Sequence, residues 1–187
     1  PFASHGQGAL ISAYVFRKQD TKWVFERGQK EITEAGSYGN TPPGRLIQLG
    51  DEKYGLLFEG GFCGQGYCES GAFIVALSEP AFLVFERIDT GAENSGTCSD
   101  DTRERESTGL GACWSYEGTL EFVRVPESAY YIIRVAYQGT DGDDNDRSKV
   151  VRKDTPVCLK MGTMKYSVLN DPKCKDFKAL PSRVDNK

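Results

Sequence analysis

An all-β fold, an antiparallel β-sandwich or meander built from repeated hairpins, is predicted by this sequence on three observations. Short stretches rich in Val, Ile, Phe and Tyr recur along 187 residues, each bounded by Gly, Pro, Asn or Asp. No long stretch keeps the apolar period of about 3.6 residues that an amphipathic helix needs. Six cysteines fall into three neighbouring couples, the pattern of a cystine-braced scaffold.

Taken in order, the expected strands are Ala9–Phe16, Lys22–Glu26, Leu46–Leu49, Tyr54–Glu59, Ala72–Leu77, Ala81–Ile88, Ser115–Val125, Ala129–Tyr137, Lys149–Leu159 and Met164–Leu169. Leu120, Phe122 and Ile132 sit where apolar and polar residues alternate, as a sheet with one wet face requires. One short helix is expected over Asp171–Leu180, opened by Pro172 and stopped by Pro181. A chain of 187 residues can bury most of its apolar surface as one β-rich domain spanning 1–187. Apolar content of 39% and charged content of 27% fit a soluble globular class.

The chain echoes itself. Gly8-Ala-Leu-Ile-Ser-Ala-Tyr14 followed by Trp23-Val-Phe-Glu-Arg27 is matched by Gly71-Ala-Phe-Ile-Val-Ala-Leu77 followed by Leu83-Val-Phe-Glu-Arg87. Gly-Gln-Gly precedes each copy, and Leu120–Val125 with Ala129–Val135 forms a fainter third version. The echo reads as a hairpin duplicated over 6–60 and 64–125, against coincidence between two similar hairpins.

Sequence neighbours close the shortest loops, so the expected disulfides are Cys63–Cys68, Cys98–Cys113 and Cys158–Cys174. A loop of about 15 residues is worth roughly 3 kcal/mol in the chain-entropy model. Zinc would want C-x-x-C knuckles or accompanying histidines, and His5 is the only histidine. Disulfides imply an oxidising compartment, periplasmic or secreted. The chain holds no N-x-S/T acceptor, which favours the periplasm. The longest apolar run, Ala72–Leu77, is too short to span a bilayer. Pro1 stands where an initiator Met would, so a removed leader or anchor is expected.

Charge is uneven. Residues 89–146 hold 13 acidic and 4 basic side chains, net −9, whereas 147–187 hold 11 basic and 4 acidic, net +7. A basic segment pairing against an acidic sheet is expected from this polarity. A nucleic-acid platform would interleave cations with exposed rings on a basic domain, which the Lys173, Lys175, Lys178 and Arg183 tail does not do.

The loop Thr140–Asp146 is the densest local signal. Asp141, Asp143 and Asn145 have alternate spacing, with Asp144 and Asp146 adding charge, so calcium is the cofactor to expect if there is one. The loop departs from an EF-hand, with Asp146 where Gly belongs and Arg152 where Glu belongs. A solvated hairpin loop between Tyr137 and Lys149 is the plainer reading.

Asp100, Asp101, Glu104 and Glu106 are interspersed with Arg103 and Arg105 between Cys98 and Cys113. A polar loop tethered by a cystine is a natural binding element, and an acidic one suits a basic protein such as a lysozyme-like enzyme. A disordered insertion pinned at its base is the alternative. The Gly-rich stretch Gly60–Gly71 lacks the Lys-Ser/Thr ending of a phosphate cradle and reads as a cystine-closed turn. Its Phe62 and Tyr67 would stack on a sugar, fill a partner pocket, or cover the core edge.

Histidine-dependent triads are poorly supported, since the one histidine, His5, sits close to an expected frayed terminus, and oxidised cysteines supply no thiolate. Glu59, Glu69, Glu86 and Glu121 are the carboxylates a hydrolase could recruit, whereas Glu26-Arg27 and Glu86-Arg87 read as strand-end ion pairs. The expectation is therefore a noncatalytic extracytoplasmic binding protein, not an enzyme, that recognises or inhibits a protein through cystine-braced loops. A carbohydrate- or calcium-dependent surface module is the first alternative and a carboxylate-dependent hydrolase the second.

Overall fold

A computed structural model of the chain describes residues 7–76, 81–126, 128–143, 146–161, 166–169 and 172–177. The architecture is antiparallel β throughout, as the sequence predicts. Eleven strands are described: β1 (Ala9–Gln19), β2 (Lys22–Ala35), β3 (Gly44–Gly50), β4 (Lys53–Gly64), β5 (Tyr67–Ala76), β6 (Leu83–Glu93), β7 (Ser115–Val123), β8 (Ile132–Asp143), β9 (Asp146–Arg152), β10 (Val157–Met161) and β11 (Tyr166–Val168). Strands β3 to β8 form a meander that continues through β10 to β11, with β9 paired to β8 beyond that path. Strands β1 and β2 form a separate two-stranded arm.

The large sheet coils so that its two ends enclose one core. Ile47 and Leu49 of β3, Leu57 of β4, Ile74 of β5, Phe85 of β6 and Ile133 and Val135 of β8 are buried together. The Tyr131 amide donates to Leu49 O at 2.7 Å, and the Tyr166 hydroxyl donates to Tyr131 O at 3.0 Å. Tyr166 also meets Phe85 edge-on at 4.6 Å, so β11 approaches β6 across the core. Each such side chain contributes about 1.5–3 kcal/mol when fully removed from water.

A second cluster joins Val123 and Ile132 to the buried Cys158–Cys174 disulfide. A third seats the arm. Ile11, Ala13, Val15 and Ile32, alternate residues on one face of the arm, pack on Phe58, Phe73, Val75, Phe82 and Val84. Cross-strand ion pairs stitch the hairpins: Arg17–Glu26 in the arm, Arg45–Glu59 between β3 and β4, Arg87–Glu69 between β6 and β5, and Arg134–Glu121 between β8 and β7. Glu26 and Arg87 thus pair across strands rather than with their sequence neighbours. Arg27 instead lies over the Phe82 ring, 5.5 Å from its centroid.

All three expected disulfides are present, with S–S distances of 2.09, 2.05 and 2.12 Å. The echoed segments occupy the β1–β2 and β5–β6 hairpins, but their registers differ. Phe25 faces Phe16, while its counterpart Phe85 faces Ile74, the counterpart of Ile11. Several expectations change, among them two strands and the expected helix, and β8 runs on to Asp143 into the expected Thr140–Asp146 loop. β2 runs on to Ala35, Lys149–Leu159 divides at residues 153–156 into β9 and β10, and Asp171–Leu180 contains a short 3-10 turn, Pro172–Asp176. The division follows from Pro156, which has no amide to donate to a ladder.

The acidic insertion corrects the sequence reading most. Thr102–Thr108 is a helix, α1, rather than an irregular loop. Asp101 caps its first turn, accepting from the Arg103 and Glu104 amides at 2.8 and 3.3 Å. Gly109 ends it in a left-handed conformation, φ 75°, with its amide returned to Arg105 O. His5, Asp144, Asn145, Lys178 and Arg183 lie outside the described residues.

Candidate functional site

The cystine-closed tip of β4–β5 begins the site. Gln65 and Gly66 both have positive φ, 52° and 82°, the pair that a tight two-residue hairpin turn demands. A Cβ on Gly66 would meet Gly96 C at 2.7 Å, and the Gly96 amide donates to Gly66 O at 3.0 Å. The tip is therefore docked on the loop following β6. Phe62 and Tyr67 project from it at 49% and 47% exposure, so they are presented to solvent rather than covering the core.

Buried Asn94 organises the loop that the tip rests on. Its side-chain amide donates to Ala112 O at 2.9 Å and its Oδ1 accepts from the Trp114 amide at 2.8 Å. With Cys98–Cys113 it clamps both ends of the α1 segment. Trp114 is thereby held 6.4 Å from the Tyr67 ring and stacked on Tyr116 at 6.2 Å. Tyr116 in turn meets Tyr137 edge-on at 5.7 Å.

A groove of about 840 Å³ opens beside this aromatic row, across β4 to β8. Glu69, Glu93, Glu117 and Glu121 line it together with Gln138, and no Lys or Arg does among the described residues. Small residues, among them Ser70, Gly91, Ser115 and Ala136, leave it shallow and open. The register sets the acids in one patch: Gly91 faces Glu117, Glu93 faces Ser115, and Glu117 faces Gln138. Arg87 and Arg134 compensate Glu69 and Glu121 from outside the lining. Glu93 and Glu117 have no such cation among the described residues. A second groove, of about 990 Å³, lies on the other side of Phe62 between the base of the arm and β4–β6, with Tyr38, Pro42 and Phe73 in its lining.

Beneath the aromatic row, Lys153 is enclosed. Its ammonium donates to Asp141 Oδ2 at 2.9 Å, approaches Asp89 Oδ2 at 3.8 Å and lies over the Tyr116 ring. Burial alone would lower its pKa, but the hydrogen bonds to Asp141 and Tyr116 outweigh that and raise it. Burial raises the Tyr116 hydroxyl, which donates to Asp89 at 2.9 Å. Burial also pushes Tyr137 up to about 12, reinforced by the Asp89 charge.

Two of the expected metal ligands, Asp141 and Asp146, each hold an ammonium group. Asp141 holds Lys153, and Asp146 holds Lys149 at 2.8 Å and the Ser148 hydroxyl at 2.6 Å, which keeps the Asp146 carboxyl well below its ordinary range. Asp143 faces Asp146 across the β8–β9 turn. No group of three or more metal-ligating side chains converges among the described residues.

In the tethered segment, Asp101 is spent on the helix cap and Glu104 accepts from the Ser99 hydroxyl at 2.6 Å. Asp100 and Glu106 are exposed. Of the hydrolase candidates, Glu59, Glu69 and Glu121 are each in an arginine pair, and the side chain of Glu86 lies outside the described residues. The groove acids Glu93 and Glu117 were not marked by any sequence motif. Their alternation with Ser115 and Gly91 is meaningful only once β6 and β7 are in register.

Among the described residues no helix is long and apolar enough to cross a membrane. Three disulfides are the mark of a chain that matures in an oxidising, extracytoplasmic compartment. Compared with protein families, curated proteins and solved structures, the chain gives no match.

Proposed function

We propose that this chain is a noncatalytic extracytoplasmic binding protein that recognises a basic protein partner through the groove carrying Glu93 and Glu117. The observation that supports it is the charge of that groove: four carboxylates, no cation in the lining among the described residues, and two acids left uncompensated while Glu26, Glu59, Glu69 and Glu121 are each paired with an arginine. Complementary charge steers encounter and selects partners. The Cys98–Cys113 segment serves this reading as a brace that sets Trp114 and the groove wall, with Asp100 and Glu106 as peripheral charge. The arginine pairs on Glu59, Glu69 and Glu121 favour a noncatalytic role, and the missing N-x-S/T acceptor favours the periplasm.

Calorimetric titration against a panel of basic extracellular proteins, a cationic lysozyme among them, tests the reading. Binding that weakens with salt, and that falls about tenfold in Glu93→Gln/Glu117→Gln, is expected. Equal binding by the variant, or no binding by any basic protein, defeats it.

The half-exposed Phe62 and Tyr67 rings at the groove's end favour a second reading, carbohydrate binding. A sugar would stack on Tyr67 while its hydroxyls donate to the groove acids. Glycan binding abolished by Tyr67→Ala, with no response to basic proteins, would select it.

A further inference from the structure

The arm has an outward face that the groove does not use. Strand alternation places Leu10, Tyr14, Phe16 and Lys18 of β1 on one side, and register adds Phe25 opposite Phe16 and Trp23 opposite Lys18. Leu10 is 60% exposed, Tyr14 49%, Phe16 52%, Phe25 57% and Trp23 67%, so the whole stripe faces solvent. The opposite face is the one packed on the large sheet through Ile11, Ala13, Val15 and Ile32. Phe16 and Phe25 meet edge-on at 5.8 Å, and the Tyr14 ring lies against Gly28, where a Cβ would come within 2.3 Å of it. These contacts order the rings without covering them.

The charge around the stripe is opposite to that of the protein as a whole. The whole arm, residues 9–35, carries Arg17, Lys18, Lys22, Arg27 and Lys30 against Asp20, Glu26, Glu31 and Glu34, net +1 in a chain of net −4, with Lys18 and Lys22 at its tip and Arg27 on the inward face over Phe82. Trp, Tyr and Phe flanked by Lys and Arg is the composition that partitions at a lipid headgroup boundary, rings at the acyl edge and cations among phosphates. Neither groove reaches Tyr14, Phe16, Trp23 or Phe25, and a fluid interface requires no recess of the kind a partner's anchoring side chain would fill. A second copy of the chain would set one cationic tip against another, which disfavours self-association through this face.

We propose that the β1–β2 arm is a membrane-surface anchor that seats Tyr14, Phe16, Trp23 and Phe25 in the interface of an anionic phospholipid bilayer, with Lys18 and Lys22 at its phosphates. The protein lies on the bilayer and does not cross it. This anchoring is independent of the acidic groove, which remains open for its own ligand.

The chain's two tryptophans allow a direct test. In a Trp114→Phe background Trp23 is the sole indole, and its emission is read with vesicles of phosphatidylcholine alone or mixed with phosphatidylglycerol. The mixed vesicles are expected to shift Trp23 emission to the blue, shield it from acrylamide and co-sediment the protein. Lys18→Glu/Lys22→Glu is expected to weaken partitioning by about fivefold or more per lysine. Phe16→Ser/Phe25→Ser is expected to abolish it with the circular dichroism spectrum unchanged, because both rings are exposed. Glu93→Gln/Glu117→Gln is expected to leave it intact, which separates this anchoring from the groove. Unchanged Trp23 emission with every vesicle, undiminished sedimentation of the Phe16→Ser/Phe25→Ser protein, or a response to single-stranded oligonucleotide in place of vesicles would overturn the proposal.

Discussion

The Lys153 ammonium lies 3.5 Å from the centroid of the Tyr116 ring. Asp141 accepts its hydrogen bond at 2.9 Å, and the Lys153 amide donates to Gly139 O at 3.0 Å. The residue following β9 is thus tied to β8, to β7 and, through Asp89, to β6. It also supports Tyr116, which lines the groove and stacks on Trp114. The basic segment meets the acidic one here, inside the protein.

Replacing Lys153 by Met is expected to lower stability by about 2 kcal/mol, since it removes a partly desolvated cation–π contact and strands Asp141 beside Asp89. Lys153→Arg should retain part of this, because the charge persists while the fit over Tyr116 changes. Urea denaturation followed by tyrosine fluorescence measures both. A loss below about 0.5 kcal/mol for the Met variant would show that solvent screening reduces the cluster to the worth of a surface pair.

The same cluster fixes an alkaline limit. Tyr116 and Tyr137 have pKa values raised by burial, Tyr137 to about 12, and Lys153 is also raised. Between the unfolded and folded values the native state binds more protons, so stability must fall as pH rises. The stabilisation is complete below about pH 10, the ordinary tyrosine value, and the Tyr137 part is lost as pH passes about 12. Tyr137→Phe should flatten this portion of the stability–pH curve. An unchanged slope in the Phe variant would remove Tyr137 from the account.

The three disulfides are expected to differ in worth. Cys158–Cys174 closes 16 residues and is buried in a core with Val123 and Ile132, whereas Cys63–Cys68 closes only 5. Chain entropy alone assigns about 3 kcal/mol to the former and about 2 kcal/mol to the latter. Loss of buried sulfur contacts widens the gap, because the surrounding core relaxes only in part. Paired Cys→Ala variants compared by denaturant midpoint should therefore rank Cys158/Cys174 as the more damaging. The reverse order would mean that docking of the β4–β5 tip on Gly96 matters more than the second core.

Much of the fold could be read from local signals. Val-, Ile- and Phe-rich runs became β4, β5, β6 and β8, and neighbouring cysteines became the disulfides, because both depend on interactions close in sequence. Asp101 and Gly109, which bracket α1, are standard helix start and stop signals, but the intervening charges masked them as a solvated loop. The groove was not legible, because Glu93 and Glu117 become neighbours only when β6 and β7 pair. The arm's exposed face was hidden for a related reason. Leu10, Tyr14 and Phe16 alternate as a core-facing strand would, and only the topology reveals that the β1–β2 core contact is made by the other face.

Two acidic features are candidates to hold the proposed basic partner, and substitution separates them. In the tethered segment Asp101 acts on α1, so Asp101→Ala should cost about 1 kcal/mol of stability. Gly109→Ala should cost a similar amount through its left-handed φ alone, since nothing lies within 4 Å of the added Cβ. Neither change removes charge from the groove. Asp100→Asn/Glu106→Gln removes the exposed acids of that segment, and exposed charge far from a contact is worth little. Affinity for a basic protein should therefore stay within about twofold in Asp100→Asn/Glu106→Gln while falling about tenfold in Glu93→Gln/Glu117→Gln. If the first pair proved the more damaging, the basic partner would be held by the α1 segment, and the groove acids would be bystanders.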